Sequence, residues 1–163
     1  APMVASLFED CGVSPDQVDR VAVCTGPGSF TGLRVALSFA KGFALPRNVP
    51  LVGLDALAVT FLMQEETDGA RLIYQDVKRG QFMAQRFHPS EPLPISTPRL
   101  ATFEEVEAES EASSVPLVEA KAVNVSIMAR AAIELDPADY PPDPLYARPP
   151  DAKLPGGITP PRS

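Results

Sequence analysis

The 163-residue sequence has little of what a metal site or a nucleophilic catalyst needs, since it holds one histidine and two cysteines. A zinc site takes three or four converging ligands, mainly histidine, cysteine and carboxylate. Any metal site here would be mostly carboxylate, which suits harder ions. A nucleophile–histidine pair would depend on His88, which lies in a proline-flanked loop. We expect His88 to be a surface residue, and we predict no catalytic residue and no metal site.

Two further absences concern membranes and nucleic acids. No apolar run approaches the roughly 18 residues that cross a bilayer. The first residues are not basic, and Glu9 and Asp10 follow early, unlike a secretory signal. We therefore expect a cytoplasmic protein with no membrane contact. The net charge is −7 and the basic residues are scattered along the sequence, so we expect no broad nucleic-acid surface on this chain alone.

Proline, by contrast, is abundant, with 19 residues, nine of them from Pro137 onward. A segment so rich in proline is not helical throughout, because proline lacks the backbone donor and clashes with the preceding turn. A second proline cluster marks a linker at about 88–98. These clusters predict a first lobe over 1–98, a small second lobe over 99–140 and a proline-rich tail over 141–163.

The order of periodic segments indicates the fold class. An apolar run over 21–25 predicts a strand covered on both faces, and the segments up to 63 then alternate helix, strand and helix. This alternation is typical of a parallel α/β sheet. A hairpin over 71–77 and 81–87 follows, and then a helix, a brief strand and another helix. The sequence therefore predicts an α/β fold with a mixed sheet. Cys11 and Cys24 are expected to be buried, reduced thiols.

A glycine-rich loop joins the first predicted strand to a helix. Glycines permit conformations closed to other residues, and a helix N-terminus offers free N–H groups to an anion. The segment is a candidate phosphate or nucleotide contact, or else a tight turn that lets the helix pack on the sheet. Neither the Walker pattern nor the dinucleotide fingerprint fits it. The candidate residues are Gly26, Pro27, Gly28, Ser29, Phe30, Thr31, Gly32 and Arg34.

The helix after this loop, over 31–44, is apolar around most of its circumference. Its polar positions Arg34, Ser38 and Lys41 form one narrow stripe. A helix of this kind is covered on more than one side. Either it is sandwiched within the fold, or its second face meets a partner protein, which we favour. The candidate interface residues are Leu33, Val35, Ala36, Leu37, Phe39, Ala40 and Phe43.

The polar groups at the hairpin and those in the tail each have two interpretations. Asp76, Lys78 and Arg79 are either a polar rim beside a nucleotide or partner site, or ordinary solvated turn residues. The tail either docks on the body of the protein in an extended form or touches a partner, and docking is favoured. The tail residues concerned are Tyr146, Arg148, Asp151 and Lys153.

Four motifs, in one order, carry a resemblance to a known family. They read VCTGPGSFTGLRVALSFAKGFA, VPLVGLDALA, DVKRGQFMAQRF and, near the C-terminus, PLYARPPDAKLPG. Together they resemble the TsaB family, also called YeaZ, whose members take part in making threonylcarbamoyladenosine on tRNA. GPGSFTGLR is the most specific of them. The resemblance extends from Ala1 to about Gly156.

The resemblance implies an actin/Hsp70-like (ASKHA) two-lobe fold and a non-catalytic role. In that role the chain is a scaffold that pairs with the TsaD subunit, and TsaE joins them to modify adenosine 37 of tRNA. It also implies a homodimer when TsaD is absent, and contact with tRNA only through the complex. We expect no cofactor on this chain alone, with ATP or ADP at the assembled complex. The alternatives are a metal-dependent glycopeptidase-like hydrolase and a stand-alone nucleotide-binding module.

One departure from the family pattern bears on the fold. Members of the family open with a strand-rich segment, whereas this sequence opens inside the helix expected to follow it. We therefore expect a first lobe that lacks its first N-terminal strands. The strand over 21–25 would then keep one unpaired edge.

Overall fold

The computed structural model describes residues 2–64, 69–94 and 97–148. Within these ranges the chain forms five α-helices and six strands, close to the segments expected from the sequence. No helix there is long and apolar enough to cross a membrane. In chain order the helices and strands are α1 (Pro2–Cys11), β1 (Val21–Gly26), α2 (Phe30–Ala44), β2 (Leu51–Asp55), α3 (Ala56–Leu62), β3 (Arg71–Asp76), β4 (Phe82–Phe87), β5 (Arg99–Ala101), α4 (Phe103–Ser113), β6 (Leu117–Glu119) and α5 (Val125–Glu134).

Side-chain caps fix where the helices begin. Thr102 and Glu105 form a reciprocal capping box at the start of α4, as the sequence predicted. Asp55 accepts a hydrogen bond from the backbone N–H of Ala58, and Asn124 caps α5 in the same way. Ser14 also forms a capping box, but the helix it opens is a single 3₁₀ turn, Pro15–Gln17.

Strands β1 and β2 form a two-stranded parallel sheet, with Val21 opposite Leu51. Helix α2 covers one face, where Leu37 and Ala40 pack on Val23. Helix α5 covers the other face, where Met128 and Ala132 pack on β2. The expectation of a strand covered on both faces is thus confirmed. On its other edge, β1 pairs with no strand among the described residues.

The second sheet has the order β5-β4-β3-β6 and is mixed, since only β6 runs parallel to its neighbour. Helix α3 bridges the two sheets through Leu57 and Ala58, which pack on Ile73 and Phe87. The division expected at residue 98 does not follow these sheets. Strands β5 and β6, assigned to the second lobe, pair with β4 and β3, assigned to the first, and α5 packs on the first sheet.

The start of the tail lies across the carboxyl ends of β1 and β2. Gly53 donates its N–H to the carbonyl of Tyr140 at 2.8 Å, and Leu145 donates to the carbonyl of Thr25 at 2.8 Å. The docked tail expected from the sequence is confirmed for its described part. Asp151 and Lys153 lie outside the described residues.

The two cysteines differ in their surroundings. Cys24 is half-buried in β1, whereas Cys11 is exposed. The expectation of a buried Cys11 is wrong because none of the residues of α1 is buried. His88 lies half-buried in the loop after β4, with its Nδ1 atom 2.7 Å from the Ser90 hydroxyl.

Candidate functional site

The glycine-rich loop forms a tight turn between β1 and α2. Gly26 has φ +117°, and a Cβ atom there would lie 2.8 Å from the carbonyl oxygen of Leu145. The peptide bond from Gly26 to Pro27 is cis. Ser29 caps α2 by accepting a hydrogen bond from the N–H of Gly32 at 3.3 Å. The glycine at position 26 is therefore required both by the backbone angle and by the tail that crosses it.

The exposed side of the loop carries stacked aromatic rings and one arginine. The Phe30 and Tyr146 ring centroids are 5.0 Å apart. The guanidinium of Arg34 lies 4.0 Å above the Phe30 ring, and its Nε atom donates to the Tyr146 hydroxyl at 3.1 Å. Arg34 thus joins the start of α2 to the tail. The sequence identified Arg34 but gave no signal that Tyr146 is its partner.

The hairpin between β3 and β4 reaches the same loop. The Nε2 atom of Gln75 donates a hydrogen bond to the carbonyl of Pro27 at 3.4 Å, and Nη2 of Arg148 donates one to the carbonyl of Val77 at 2.7 Å. At the turn, Asp76 accepts from the N–H of Lys78 at 2.6 Å. The loop, the hairpin and the tail therefore meet at one place on the surface.

The two apolar sides of α2 differ in their exposure to solvent. Leu33, Leu37 and Ala40 are buried in this chain, so we remove them from the candidate partner surface. Their side chains are buried because the sheet lies on that side of the helix. The opposite side, with Val35 and Phe39, is 65% and 40% exposed.

Helix α1 extends this exposed side. Phe8 stacks on Phe43 with ring centroids 6.0 Å apart, and Phe43 stacks on Phe39 at 6.3 Å. On α1, Met3 and Leu7 are 84% and 59% exposed. We call this surface the α1–α2 face. It comprises Met3, Leu7, Phe8, Val35, Ala36, Phe39 and Phe43, and the α1 residues among them were not anticipated from the sequence.

The crevice at the carboxyl ends of β1 and β2 is the place where open α/β sheets bind ligands. Here residues 139–141 and 143–145, at the start of the tail and just before it, line the crevice together with Thr25, Gly53 and Asp55, and a cavity of about 210 Å³ remains. This is below the range of roughly 300–1,000 Å³ typical of small-molecule sites. The geometry therefore favours the tight-turn interpretation of the glycine-rich loop over the nucleotide one.

Asp55 lines that cavity, and burial raises the pKa of its carboxyl group. In the folded state the group binds its proton more tightly than in the unfolded state, so folding stability falls as pH rises above about 4, the usual Asp value. We expect Asp55→Asn, which keeps a capping oxygen, to become progressively more stable than the natural chain as pH is raised from about 4 to 7. Urea unfolding of both proteins across that range measures the effect. A constant difference between their free energies of unfolding at all these pH values would refute the prediction.

No group of three or more histidine, cysteine, aspartate and glutamate side chains within the described ranges is arranged to hold a metal ion.

Comparison with known proteins identifies relatives in one functional class. A family model described as TsaD, tRNA N6-adenosine threonylcarbamoyltransferase, matches residues 1–90, more than half of the chain. A curated protein with the same description, from Desulforapulum autotrophicum, is 46% identical over 57 residues, covering 35% of this chain and 17% of its own. The tRNA threonylcarbamoyladenosine biosynthesis protein TsaB of Bacillus subtilis is 32% identical over 80 residues, covering 49% and 35%.

TsaB of Escherichia coli is 38% identical over 56 residues, covering 34% of this chain and 24% of its own. The chain thus spans between 17% and 35% of the length of these three curated relatives. Among solved structures, YeaZ from Pseudomonas aeruginosa superposes with a TM-score of 0.64 at 19% identity, covering 80% of this chain and 73% of that one. This likeness confirms the mixed α/β fold. The curated relatives named TsaB confirm the resemblance to that family.

Proposed function

Since this chain belongs to the family described as TsaD, tRNA N6-adenosine threonylcarbamoyltransferase, we propose that it is a non-catalytic accessory subunit of the machinery that makes threonylcarbamoyladenosine on tRNA. Its proposed partner is the catalytic TsaD subunit. The TsaE subunit joins the pair, and a second copy of this chain takes the place of TsaD when TsaD is absent.

The α1–α2 face is the observation that carries this proposal. It presents exposed apolar side chains from two adjacent helices, among them Met3, Val35 and Phe39, which are 84%, 65% and 40% exposed. Monomeric proteins rarely expose contiguous apolar surface of this kind, and large apolar and aromatic side chains form the centres of protein interfaces. A face built from two helices fits a partner that offers helices in return, because side-chain ridges of one helix pack into the grooves of another.

The accessory role is supported by the residues available for chemistry. The chain contains a single histidine, His88, and that side chain lies at the end of β4 rather than beside the glycine-rich loop. The relatives named TsaB in B. subtilis and E. coli, which are 32% and 38% identical to this chain over 80 and 56 residues, are described as biosynthesis proteins and support this role. We propose that tRNA reaches the chain only through the complex, that ATP or ADP binds the assembled complex, and that the protein acts in the cytoplasm.

Neither alternative function has an observation of comparable strength in its favour. A metal-dependent glycopeptidase-like hydrolase needs a ligand cluster, and the described residues hold none. A stand-alone nucleotide-binding module needs an open crevice at the strand ends, where the tail and a cavity of about 210 Å³ are found instead.

Reconstitution tests the proposed function. We expect a TsaD-type transferase, supplied with tRNA and the threonylcarbamoyl adenylate, to form modified adenosine at least about tenfold faster when this chain is added, a barrier difference of roughly 1.4 kcal/mol. The chain without the transferase should form none. Modified nucleoside is measured by mass spectrometry of digested tRNA. Equal rates with and without the chain, at concentrations where both proteins are folded, would refute the accessory role.

A further inference from the structure

The guanidinium group of Arg34 is held in one orientation on the surface of α2. Its central carbon lies 4.0 Å from the centroid of the Phe30 ring, and its Nε atom donates a hydrogen bond to the Tyr146 hydroxyl at 3.1 Å. The rings of Phe30 and Tyr146 pack on each other with centroids 5.0 Å apart, so the two contacts share one support. The guanidinium is therefore positioned by contacts within this chain, before any partner binds.

These contacts leave the outer edge of the guanidinium open. Tyr146 engages the Nε atom, and among the residues that the structure describes neither Nη atom of Arg34 donates to an acceptor. The residue is exposed to solvent. The planar fork of an arginine matches the two oxygens of a carboxylate or a phosphate, and such pairs are among the strong hydrogen bonds. A side chain that is already fixed loses less conformational freedom when it binds an oxyanion.

Lys41, on the same polar stripe of α2, differs from Arg34 in its partner. Its Nζ atom is 3.7 Å from Oδ1 of Asp143 in the tail. The tail thus supplies a carboxylate to one cation of the stripe and only a hydroxyl to the other. The chain has 21 acidic residues, yet no carboxylate of the described residues forms an ion pair with Arg34. A carboxylate for Arg34 would come from outside this chain.

The position of Arg34 favours a protein carboxylate over an RNA phosphate. Val35, the next residue of α2, belongs to the α1–α2 face and lies about 100° further around the helix. Arg34 therefore stands at the border of the surface that we propose for the transferase. Protein interfaces combine an apolar centre with a polar rim and are enriched in arginine. The net charge of −7 opposes the approach of a polyanion, whereas one carboxylate is recognised by local geometry.

We propose that Arg34 binds an aspartate or glutamate side chain of the transferase subunit through its two Nη groups, at the border of the α1–α2 face. Phe30 and Tyr146 are positioning residues, because they hold the guanidinium in the orientation that the pair requires. This inference rests on the proposed function, since it takes the transferase as the partner. It adds the chemical group that the partner presents and the residue that selects it.

The affinity of this chain for the TsaD-type transferase from the same organism tests the pair. Arg34→Ala should weaken binding by about tenfold to a hundredfold, as expected for hydrogen bonds to a charged group. Arg34→Lys should recover only part of this loss, because it keeps the charge without the fork. Tyr146→Phe removes only the hydroxyl and should weaken binding by about twofold to tenfold. Arg130→Ala, at an exposed arginine of α5, is the control and should bind as the natural chain does.

A carbodiimide crosslink identifies the partner group. This reagent joins an amine to a carboxylate in contact with it, so the Arg34→Lys variant should be linked from position 34 to an aspartate or glutamate of the transferase. Mass spectrometry of the digested complex locates that residue. Replacing it with its amide should weaken binding of the natural chain and leave binding of Arg34→Ala unchanged, because that variant has already lost the pair.

Each result decides the proposal. Equal affinity of the natural chain and Arg34→Ala, with both folded by circular dichroism, would overturn it, and Arg34→Lys decides in the same way if Arg34→Ala is not folded. A partner amide variant that weakens both chains equally would overturn it as well. If Arg34→Ala binds the transferase normally but the complex loses affinity for tRNA, the guanidinium contacts an RNA phosphate and the carboxylate assignment is wrong. Failure of the natural chain to form a complex, seen by sedimentation, would refute the proposed function and this inference with it.

Discussion

Replacing Gly53 with alanine should destabilise the protein by about 3 kcal/mol, the upper part of the range for overpacking a core. A Cβ atom at this position would lie 2.5 Å from the Pro141 carbonyl oxygen, 2.7 Å from Cγ2 of Thr25 and 2.9 Å from Cα of Pro142. Two of these neighbours are backbone atoms of the tail, which cannot turn away as a flexible side chain does. The tail must therefore move off β2, and its hydrogen bond from the N–H of Gly53 to Tyr140 is lost.

Gly42→Ala is the matched control for this substitution. Gly42 lies in α2 with no atom within 4 Å of the position its Cβ would take. Alanine is favoured over glycine in a helix, so this variant should gain roughly 0.5–1 kcal/mol. Urea unfolding measures both changes, and amide exchange at Gly53 reports whether the tail has moved. If Gly53→Ala retained both full stability and a protected Gly53 amide, the tail would not be packed on the sheet as described.

Adjacent residues of α2 should respond in opposite ways to a new charge. Ala40 is 5% exposed and packs on Val23 and Leu37. Ala40→Glu should cost several kcal/mol, because it buries an unpaired carboxylate, and should leave the protein largely unfolded. Phe39→Glu places the same charge on the α1–α2 face, where the isolated chain tolerates it in water. Circular dichroism and thermal unfolding measure this contrast.

Phe39→Glu should leave the isolated chain folded but should weaken its binding to the transferase subunit. A large aromatic at the centre of an interface commonly contributes 2 kcal/mol or more, so Phe39→Glu should weaken the complex by roughly thirtyfold to a hundredfold or beyond. Ile133→Glu is the control, since Ile133 is an equally apolar residue, 62% exposed, on α5. That variant should stay folded and bind normally. Equal binding by Phe39→Glu and the natural chain would remove the α1–α2 face from the interface.

Local signals in the sequence predicted most of the helices and strands. The capping box of Thr102, the caps of Asp55 and Asn124 and the glycine-rich turn each depend on residues a few positions apart. Strand β5 was missed because three residues are too few for a periodic pattern, and its place is set by pairing with β4. The pairing of β5 and β6 with β4 and β3 across residue 98 also gave no local signal. Proline clusters mark where regular structure stops, and they do not tell which strands pair across the interruption.

The candidate site was predictable in its parts and not in its arrangement. The sequence of α2 shows two apolar sides, and only the position of β1 determines that Leu37 faces inward and Phe39 outward. The addition of α1 to the partner surface depends on the stacking of Phe8 on Phe43. The meeting of the loop, the hairpin and the tail depends on Tyr146 and Arg148. Tyr146 is more than a hundred residues from Arg34, and Arg148 is about seventy from Val77, the residues that they contact. Contacts between residues so far apart produce no periodic or local pattern in the sequence.

If this chain is a binding subunit, it should sediment together with the TsaD-type transferase from the same organism when the two proteins are mixed in a sedimentation-velocity experiment. We expect a single faster boundary containing both proteins in equal amounts at micromolar or lower concentration, and separate boundaries when the chain carries Phe39→Glu. A dissociation constant of 1 μM corresponds to about −8 kcal/mol, within reach of an interface of standard size. Two independent boundaries for the natural chain and the transferase at tens of micromolar, with each protein folded, would contradict the claim.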